Sequence, residues 1–515
     1  MYCFDASPKI VDCTFLMNRT LGDGAGICCD SGSFPNIVNC VFRENYAPFL
    51  GWYDTRGGGI HCRNASPKIV NCTFYGNTAI FGSGLSCDRS SSPVLENCII
   101  GFLNSTYNLI GSAVHCSDGG SRPILRCCDL YANPGGDWVG CIADQRDIDG
   151  NFSADPWFCD PKYGNFALAE NSPCAPLGNS CATLIGASAV GCGPKYNRTW
   201  YVKADGSGDA PTIQAAIDSC MYEDTVSVAN GVYRGTGNRD IAFRGKRIVL
   251  RSEEGAQSTT IDCEGASRGF SFLYGYEDST ALVQGFSIRH GAEYYGGGVC
   301  CDYSSPKLVG CIIEDNEATE GGGIELWHSN SVVVDCVIRN NAAQQCGGGM
   351  HIRSCNSNNP RLFNCTIEEN HAPLGGAISC DGSSPVLTEC LLGKNTADSG
   401  GAIYAEYYSN PALINSVLHG NSAVAGSGIF FKGQSMPSME KSIICFSSSG
   451  DAVHCWSASL NPAILCSNIF GNAAGDWVGC IADQAGINGN FSLDPLFCDT
   501  AAGDFHLAAA SPCNP

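Results

Sequence analysis

Carboxylates that recur at one place in a repeat are the first candidates for chemistry in this chain. Asp30, Asp88, Asp302 and Asp381 each directly follow a cysteine. Glycoside hydrolysis needs two carboxylates about 5–10 Å apart, and such a pair could be assembled from neighbouring repeats. The recurrence of these residues at the start of a turn favours a turn-capping role instead. Glu314/Asp315 and Glu368/Glu369 precede a recurring Asn. They read as a solvated face, with calcium binding the minority alternative. Nine histidines are scattered, and His115 and His454 share the context Ala-Val-His-Cys. Trp138 and Trp477, both in Asp-Trp-Val-Gly-Cys, read two ways: as lids over the end of a core, and as domain-docking or glycan contacts. Tyr294, Tyr295, Trp327, Tyr404, Tyr407 and Tyr408 point weakly to an aromatic surface stripe. No residue is assigned a catalytic, cofactor-binding or metal-ligating role at this level. A catalytic site would show itself as acidic residues clustered on one face of stacked repeats beside an arginine.

Composition narrows the partners. With 29 Lys+Arg against 50 Asp+Glu, the net charge is -21. Nucleic acid and anionic membrane surfaces are poor partners for such a chain. No stretch is apolar and long enough to span a bilayer. No cofactor is expected, calcium being the one ion that so acidic a chain would recruit. Thirty-four cysteines in 515 residues point to disulfides and an oxidising, extracellular or cell-surface location. Zinc is disfavoured because the recurring spacing is ten or eleven residues rather than two to four.

The elements that would carry these residues come from a short repeat. A small-residue knot followed by an aliphatic ends at Ile27, Ile60, Leu85 and Val114. It resumes at Val299, Ile324, Met350, Ile378, Ile403, Ile429 and Val453, in steps of 25, 26, 28, 25, 26 and 24 residues. Units this short cannot hold a βαβ crossover. Residues 375–397 contain three short β segments separated by Gly, Ser-Pro and Asn turns, which make one triangular coil. Coils that stack with parallel strands give a right-handed parallel β-helix, an all-β solenoid of about 25 residues per coil. Asn45, Asn77, Asn316, Asn370, Asn395 and Asn421 recur once per coil and read as a structural row, each amide bonding the next coil or holding a turn. Cysteines come in twos: Cys62/Cys72, Cys87/Cys98, Cys301/Cys311, Cys355/Cys365, Cys380/Cys390 and Cys455/Cys466. Bridges within a coil and bridges between coils both remain open, with the within-coil pairing favoured.

A second repeat sets the domains. GDWVGCIADQ occurs at 136–145 and again at 475–484, a shift of 339, and each copy runs on to Ser-Pro-Cys. The amphipathic Pro211–Ile217 reads as a helical plug for an open core and is found once. Residues 1–176 are therefore expected to be the C-terminal part of a first β-helix domain. Residues 177–197 would be a cysteine-containing linker, and 198–515 a second, nearly complete domain with a helical cap. The chain is expected to be an excerpt of a longer array.

These residues resemble the repeats of the pectin-lyase-like superfamily. Phe42-Arg43-Glu44-Asn45 and Phe74-Tyr75-Gly76-Asn77 are similar to repeats of bacterial polymorphic outer membrane proteins. Asp205-Gly206-Ser207-Gly208 and Gly231-Val232-Tyr233 resemble the start of pectin methylesterases, but the segments that carry that family's chemistry have no match. The resemblance implies the fold. For function, the expectation is a non-enzymatic, secreted or cell-surface structural or adhesive protein, such as the repeating unit of an extracellular filament. Its partners would be further copies joined end to end, further tandem domains, or a glycan or cell-surface ligand. The alternative is a polysaccharide-active lyase or hydrolase.

Overall fold

The computed structural model describes every residue except 48–54, 104–110, 134, 222, 274–276, 356–358, 458–459, 501–502 and 515. The chain divides into two units, Met1–Tyr196 and Asn197–Pro515. Each is an all-β right-handed solenoid whose coil supplies one short strand to each of three parallel sheets. In the first unit the three sheets have five strands each; in the second they have 11, 10 and 8.

Alternation of side chains along each strand creates the core. In the second unit Val299, Ile324, Met350, Ile378, Ile403 and Ile429 stack in register and point inward. Leu308, Val333, Leu362, Leu387 and Leu413 form a second inward column. Ile288, Ile313, Ile338, Ile367 and Leu392 form a third. All of these are buried. The helix Ile213–Ser219 covers the first coil, burying Ile213, Ala216 and Ile217, and Thr212 caps it by accepting from the Ala215 N–H at 3.2 Å.

Two kinds of polar group hold the corners. Asn316, Asn341, Asn370, Asn395 and Asn421 form a buried ladder. The Nδ2 of each of the first four donates to the Oδ1 of the next at 3.0 Å, and every Nδ2 also donates to a backbone carbonyl of the preceding coil. Asn45 and Asn77 do the same in the first unit, at 2.8 Å. The glycine knots permit close approach. Gly347 has φ +66°, and a Cβ on Gly348 would lie 2.5 Å from the Gly376 carbonyl oxygen.

The cysteines depart from expectation. Disulfides join Cys116–Cys141, Cys127–Cys181, Cys159–Cys192 and Cys455–Cys480. The within-coil bridges are corrected: Cys62, Cys72, Cys87, Cys98, Cys301, Cys311, Cys355, Cys365, Cys380 and Cys390 are free and buried. Cys455 pairs with Cys480, and Cys466 is free and exposed. The two cysteines of a coil stand on different walls and fill the core as small apolar residues. Cys3, Cys29, Cys62 and Cys87 stack in register down one wall. Burial pushes the Cys62 and Cys98 thiols well above the ordinary thiol range, so they stay neutral. The stretch expected as a linker also differs. Residues 177–196 belong to the first unit, with Ile185 fully buried and Cys181 and Cys192 both bridged.

Candidate functional site

The inward alternation of the second unit's 8-stranded sheet sends the other residues of each strand outward. Ile324–Trp327 presents Glu325 and Trp327, Met350–Arg353 presents His351 and Arg353, and Ile378–Asp381 presents Ser379 and Asp381. Glu325, His351 and Ser379 are in register, as are Trp327, Arg353 and Asp381. Beside them, before each glycine knot, Ala292–Tyr295, Glu317–Glu320 and Ala342–Cys346 pair as a small sheet. This sheet brings Tyr295, Glu320 and Cys346 against the same spot.

The result is a compact charged cluster. His351 Nδ1 lies 3.0 Å from Glu325 and 3.6 Å from Glu320. Arg353 lies 3.1 Å from each of Glu320 and Glu325. The guanidinium is also held over the rings of Trp327 at 4.0 Å and Tyr295 at 4.6 Å, two cation–π contacts. Glu325 is 1% exposed and the His351 side chain 5%, whereas Glu320 and Arg353 reach the surface at 14% and 16%. Burial alone drives His351 toward its neutral form, but Glu325 and Cys346 outweigh it, and the pKa lies well above the ordinary histidine value. Burial likewise opposes the charge on Arg353, but Glu325, Tyr295 and Glu320 hold it firmly protonated. Asp381, on the next coil, has its pKa raised by burial and by Glu406, against the opposing pull of His351 and Arg353. Two carboxylates thus face two cations, with a third carboxyl group at the edge that takes a proton more readily than usual.

Glu320, Cys346 and His351 place donor atoms within 4.8 Å of one another. That mixed sulfur, nitrogen and oxygen set suits a thiophilic ion such as zinc rather than calcium, which takes oxygen ligands. The cations His351 and Arg353 already neutralise the two glutamates, so the ion pairs are balanced as they stand.

The first unit carries a counterpart. His61 is 1% exposed, 3.7 Å from Asp23 and 3.9 Å from Asp88, with Arg56 3.5 Å from Asp88. Arg63 pairs with Asp30. Here the electrostatics reverse. Burial lowers the His61 pKa, Asp88 opposes, and Arg56 and Arg63 lower it further, to about 4. The signal missed in the sequence is the pattern Gly-Gly-Gly-x-His-x-Arg, present at 57–63 and again at 347–353.

The other sequence candidates fall as follows. Asp30, Asp88, Asp302 and Asp381 all lie at the outward end of the same kind of strand. Asp30 caps a turn through Ser31 and also pairs across coils with Arg63. Glu314 meets Arg339 at 2.7 Å and Glu369 meets Lys394 at 3.3 Å, both cross-coil ion pairs on the solvated face. His115 stacks on Phe81, and His454 lies 2.9 Å from Asp451. Trp138 packs on the first unit's core and donates to Ser153. Trp477 packs on the second unit's core and donates to the Phe491 carbonyl.

A family model described as "Right handed beta helix region" matches residues 9–152, 231–391 and 320–469. The chain belongs to this right-handed beta helix family. No curated protein matches it. Among solved structures, this β-helix is similar to the pectate lyase Pel9A at 14% identity and TM-score 0.45, covering 62% of this chain and 91% of that one. It is also similar to a pectin methylesterase from carrot, at 13% identity and TM-score 0.30, covering 58% and 90%. A mutant pectin methylesterase in complex with a hexasaccharide has 10% identity and TM-score 0.29, with 62% and 100% covered. These are likenesses of fold alone. The non-enzymatic expectation is corrected to this extent: the three solved structures named are a pectate lyase and two pectin methylesterases, and a likeness of fold at 10–14% identity assigns this chain neither an enzymatic nor a non-enzymatic role. None of the described helices is long and apolar enough to cross a membrane.

Proposed function

We propose that the second unit of this β-helix protein acts outside the cell and cleaves an extended polysaccharide. The observation that carries this reading is the flanking of Arg353 by two carboxyl groups with different environments. Glu320 is ion-paired to Arg353, whereas Asp381, in register with Arg353 one coil on, has a raised pKa. One carboxyl group paired to an arginine and another that holds a proton more readily than usual suit base and acid roles. Asp381 is assigned to protonate the leaving oxygen, and Glu320 to act as base or nucleophile. Arg353 orients the chain, and the buried Glu325–His351 pair positions Arg353 and Glu320 from behind. Acidic groups on one face of stacked coils beside an arginine support this reading. The same face continues through Glu406 and Lys432, 2.9 Å apart, to exposed Tyr407, Tyr408 and Trp456, which offer rings for sugars to stack on. A linear substrate would run along the coils, which repeat every ~4.8 Å. The four disulfides support an extracellular setting.

The test is incubation of the full chain with a panel of neutral and acidic polysaccharides, measuring new reducing ends. Ultraviolet absorbance of unsaturated products distinguishes elimination from hydrolysis. Cleavage that falls by about 10²-fold or more in Glu320→Gln and in Asp381→Asn, at unchanged thermal stability, is the expected result. No cleavage of any member, or full activity in both variants, overturns the assignment. The structural or filament reading then returns, to be tested by microscopy.

A further inference from the structure

Cys346 is placed unlike the other cysteines of the second unit's coils. Most of the free cysteines are buried, and many stack on a second cysteine one coil away, as Cys62 does on Cys29 and Cys87. Cys346 is only half-buried, and its neighbours in register are Glu320 one coil back and Leu374 one coil on. It has no cysteine beside it to bridge and fills little of the core. Its position has a local cause. Ala342–Cys346 has five residues, against four in Ala292–Tyr295 and Glu317–Glu320. The pairing with Glu317–Glu320 accordingly shifts between Ala318 and Glu320. An extra residue of this kind re-aims the side chains beside it, and here it sets Cys346 opposite Glu320.

His351 completes a set of donors. A Glu320 carboxylate oxygen, the Cys346 sulfur and a His351 ring nitrogen lie within 4.8 Å of one another, and among the described residues no other three such donors come so close. Glu325 holds the ring through Nδ1 at 3.0 Å. Metal-ligating histidines are regularly oriented by a carboxylate in this way. The first unit supplies the contrast. Asp23 lies 3.7 Å from His61 much as Glu320 lies 3.6 Å from His351. But Arg56 stands before Gly57-Gly58-Gly59, where Cys346 stands before Gly347-Gly348-Gly349. A guanidinium thus occupies the place that a thiol holds in the second unit.

We infer that Glu320, Cys346 and His351 bind a zinc ion. Sulfur, nitrogen and oxygen are the donors that zinc takes, and three protein ligands leave its fourth position to water or an incoming ligand. The spacing that disfavours zinc in the sequence concerns cysteine pairs, whereas these ligands come from two neighbouring coils. The loaded cluster is balanced in charge. The Cys346 thiolate, Glu320 and Glu325 face the divalent ion and Arg353, with His351 neutral as a ligand. Arg353 gives up Glu320 but keeps Glu325 at 3.1 Å and the rings of Trp327 and Tyr295. The zinc site stands independently of the polysaccharide reading. One consequence rests on that reading: the ion takes the carboxylate assigned as base or nucleophile, so zinc inhibits cleavage.

The experiment adds zinc alone to the full chain, freed of metal by a chelator and with no polysaccharide present. Alkylation of Cys346 is followed by mass spectrometry, with Cys13, an exposed free thiol of the first unit, as the control for mere accessibility. Stoichiometric zinc should slow alkylation of Cys346 by at least about tenfold, leave Cys13 unchanged, and be reversed by chelator. Competition with a chromophoric chelator should show zinc affinity falling at least about tenfold in Glu320→Gln and in Cys346→Ser, at unchanged thermal stability. Cobalt in place of zinc should give a thiolate-to-metal charge-transfer absorption that Cys346→Ser lacks. Equal alkylation of Cys346 with and without zinc, or undiminished affinity in Cys346→Ser, overturns the proposal. Failure of these measurements leaves the polysaccharide reading standing, and failure to cleave any polysaccharide leaves the zinc site standing. A cleaving protein that binds zinc without inhibition overturns the inhibitory consequence alone.

Discussion

Replacing Glu325 with leucine tests whether the cluster around His351 is an electrostatic unit. Glu325 is 1% exposed, and it touches His351 at 3.0 Å and Arg353 at 3.1 Å. Removing it leaves two cations partly or wholly buried, with Glu320 as their remaining contact carboxylate. Breaking a buried pair from one side costs about 3–5 kcal/mol. The cost should depend on pH with a definite sign. The folded pKa of His351 is raised well above its unfolded value of ~6.5. Its contribution to stability is therefore complete below about pH 6.5 and is lost as pH rises through the folded pKa. In Glu325→Leu the imidazole loses its main partner and falls toward neutrality, so most of that contribution disappears. The gap between wild type and variant should then be widest near pH 6 and should narrow at high pH, where only the Glu325–Arg353 pair still separates them. Glu325→Gln, which keeps the shape and an acceptor, should cost less. The assay is urea unfolding followed by pulsed hydrogen exchange, read on peptides of the second unit. A Glu325→Leu variant within about 1 kcal/mol of wild type at pH 6, or a gap that widens with pH, would refute the reasoning.

The counterpart in the first unit should respond to acid. His61 has a folded pKa of about 4, so its contribution to stability is complete above about pH 6.5 and is lost as pH falls toward 4. That loss amounts to about 3 kcal/mol, and His61→Phe should remove this part of the acid sensitivity, as measured by urea midpoints for first-unit peptides at pH 7 and pH 4.5. The asparagine ladder should be costly to break at its middle. Asn395→Ala strips acceptors from the backbone N–H and side-chain amide of Asn370 and a donor from the Ile367 carbonyl, all buried. At about 1 kcal/mol or more for each stranded group, it should cost about 3 kcal/mol, whereas Asn18→Ala, at the exposed end of its ladder, should cost under about 1 kcal/mol in the same urea assay.

What could be read from the sequence divides along a physical line. A period near 25 residues, with glycine knots and inward aliphatics, specifies stacking, because a one-residue slip would turn every core side chain outward. The columns Val299–Ile324–Met350 and Leu308–Val333–Leu362 follow from that alone. The asparagines were legible because an amide that recurs once per coil has its own copy as nearest partner. The thiols were misread because spacing within a coil says nothing about which wall a residue stands on. Cys62 and Cys72 are ten residues apart in sequence, but Cys62 stacks on Cys29 and Cys87. The cluster at Glu320, Glu325, His351, Arg353 and Asp381 was hidden for a related reason. Its members come from three coils and two sheets, so no local motif contains them, and only Gly-Gly-Gly-x-His-x-Arg leaves a trace in one stretch. A solenoid writes its fold along the chain and its chemistry across it. Reading such a sequence for function therefore requires folding it into columns first, and then asking which column breaks the repeat. In the second unit the outward column that runs Cys300, Glu325, His351, Ser379 and Tyr404 changes chemistry at almost every coil, unlike the aliphatic column beside it.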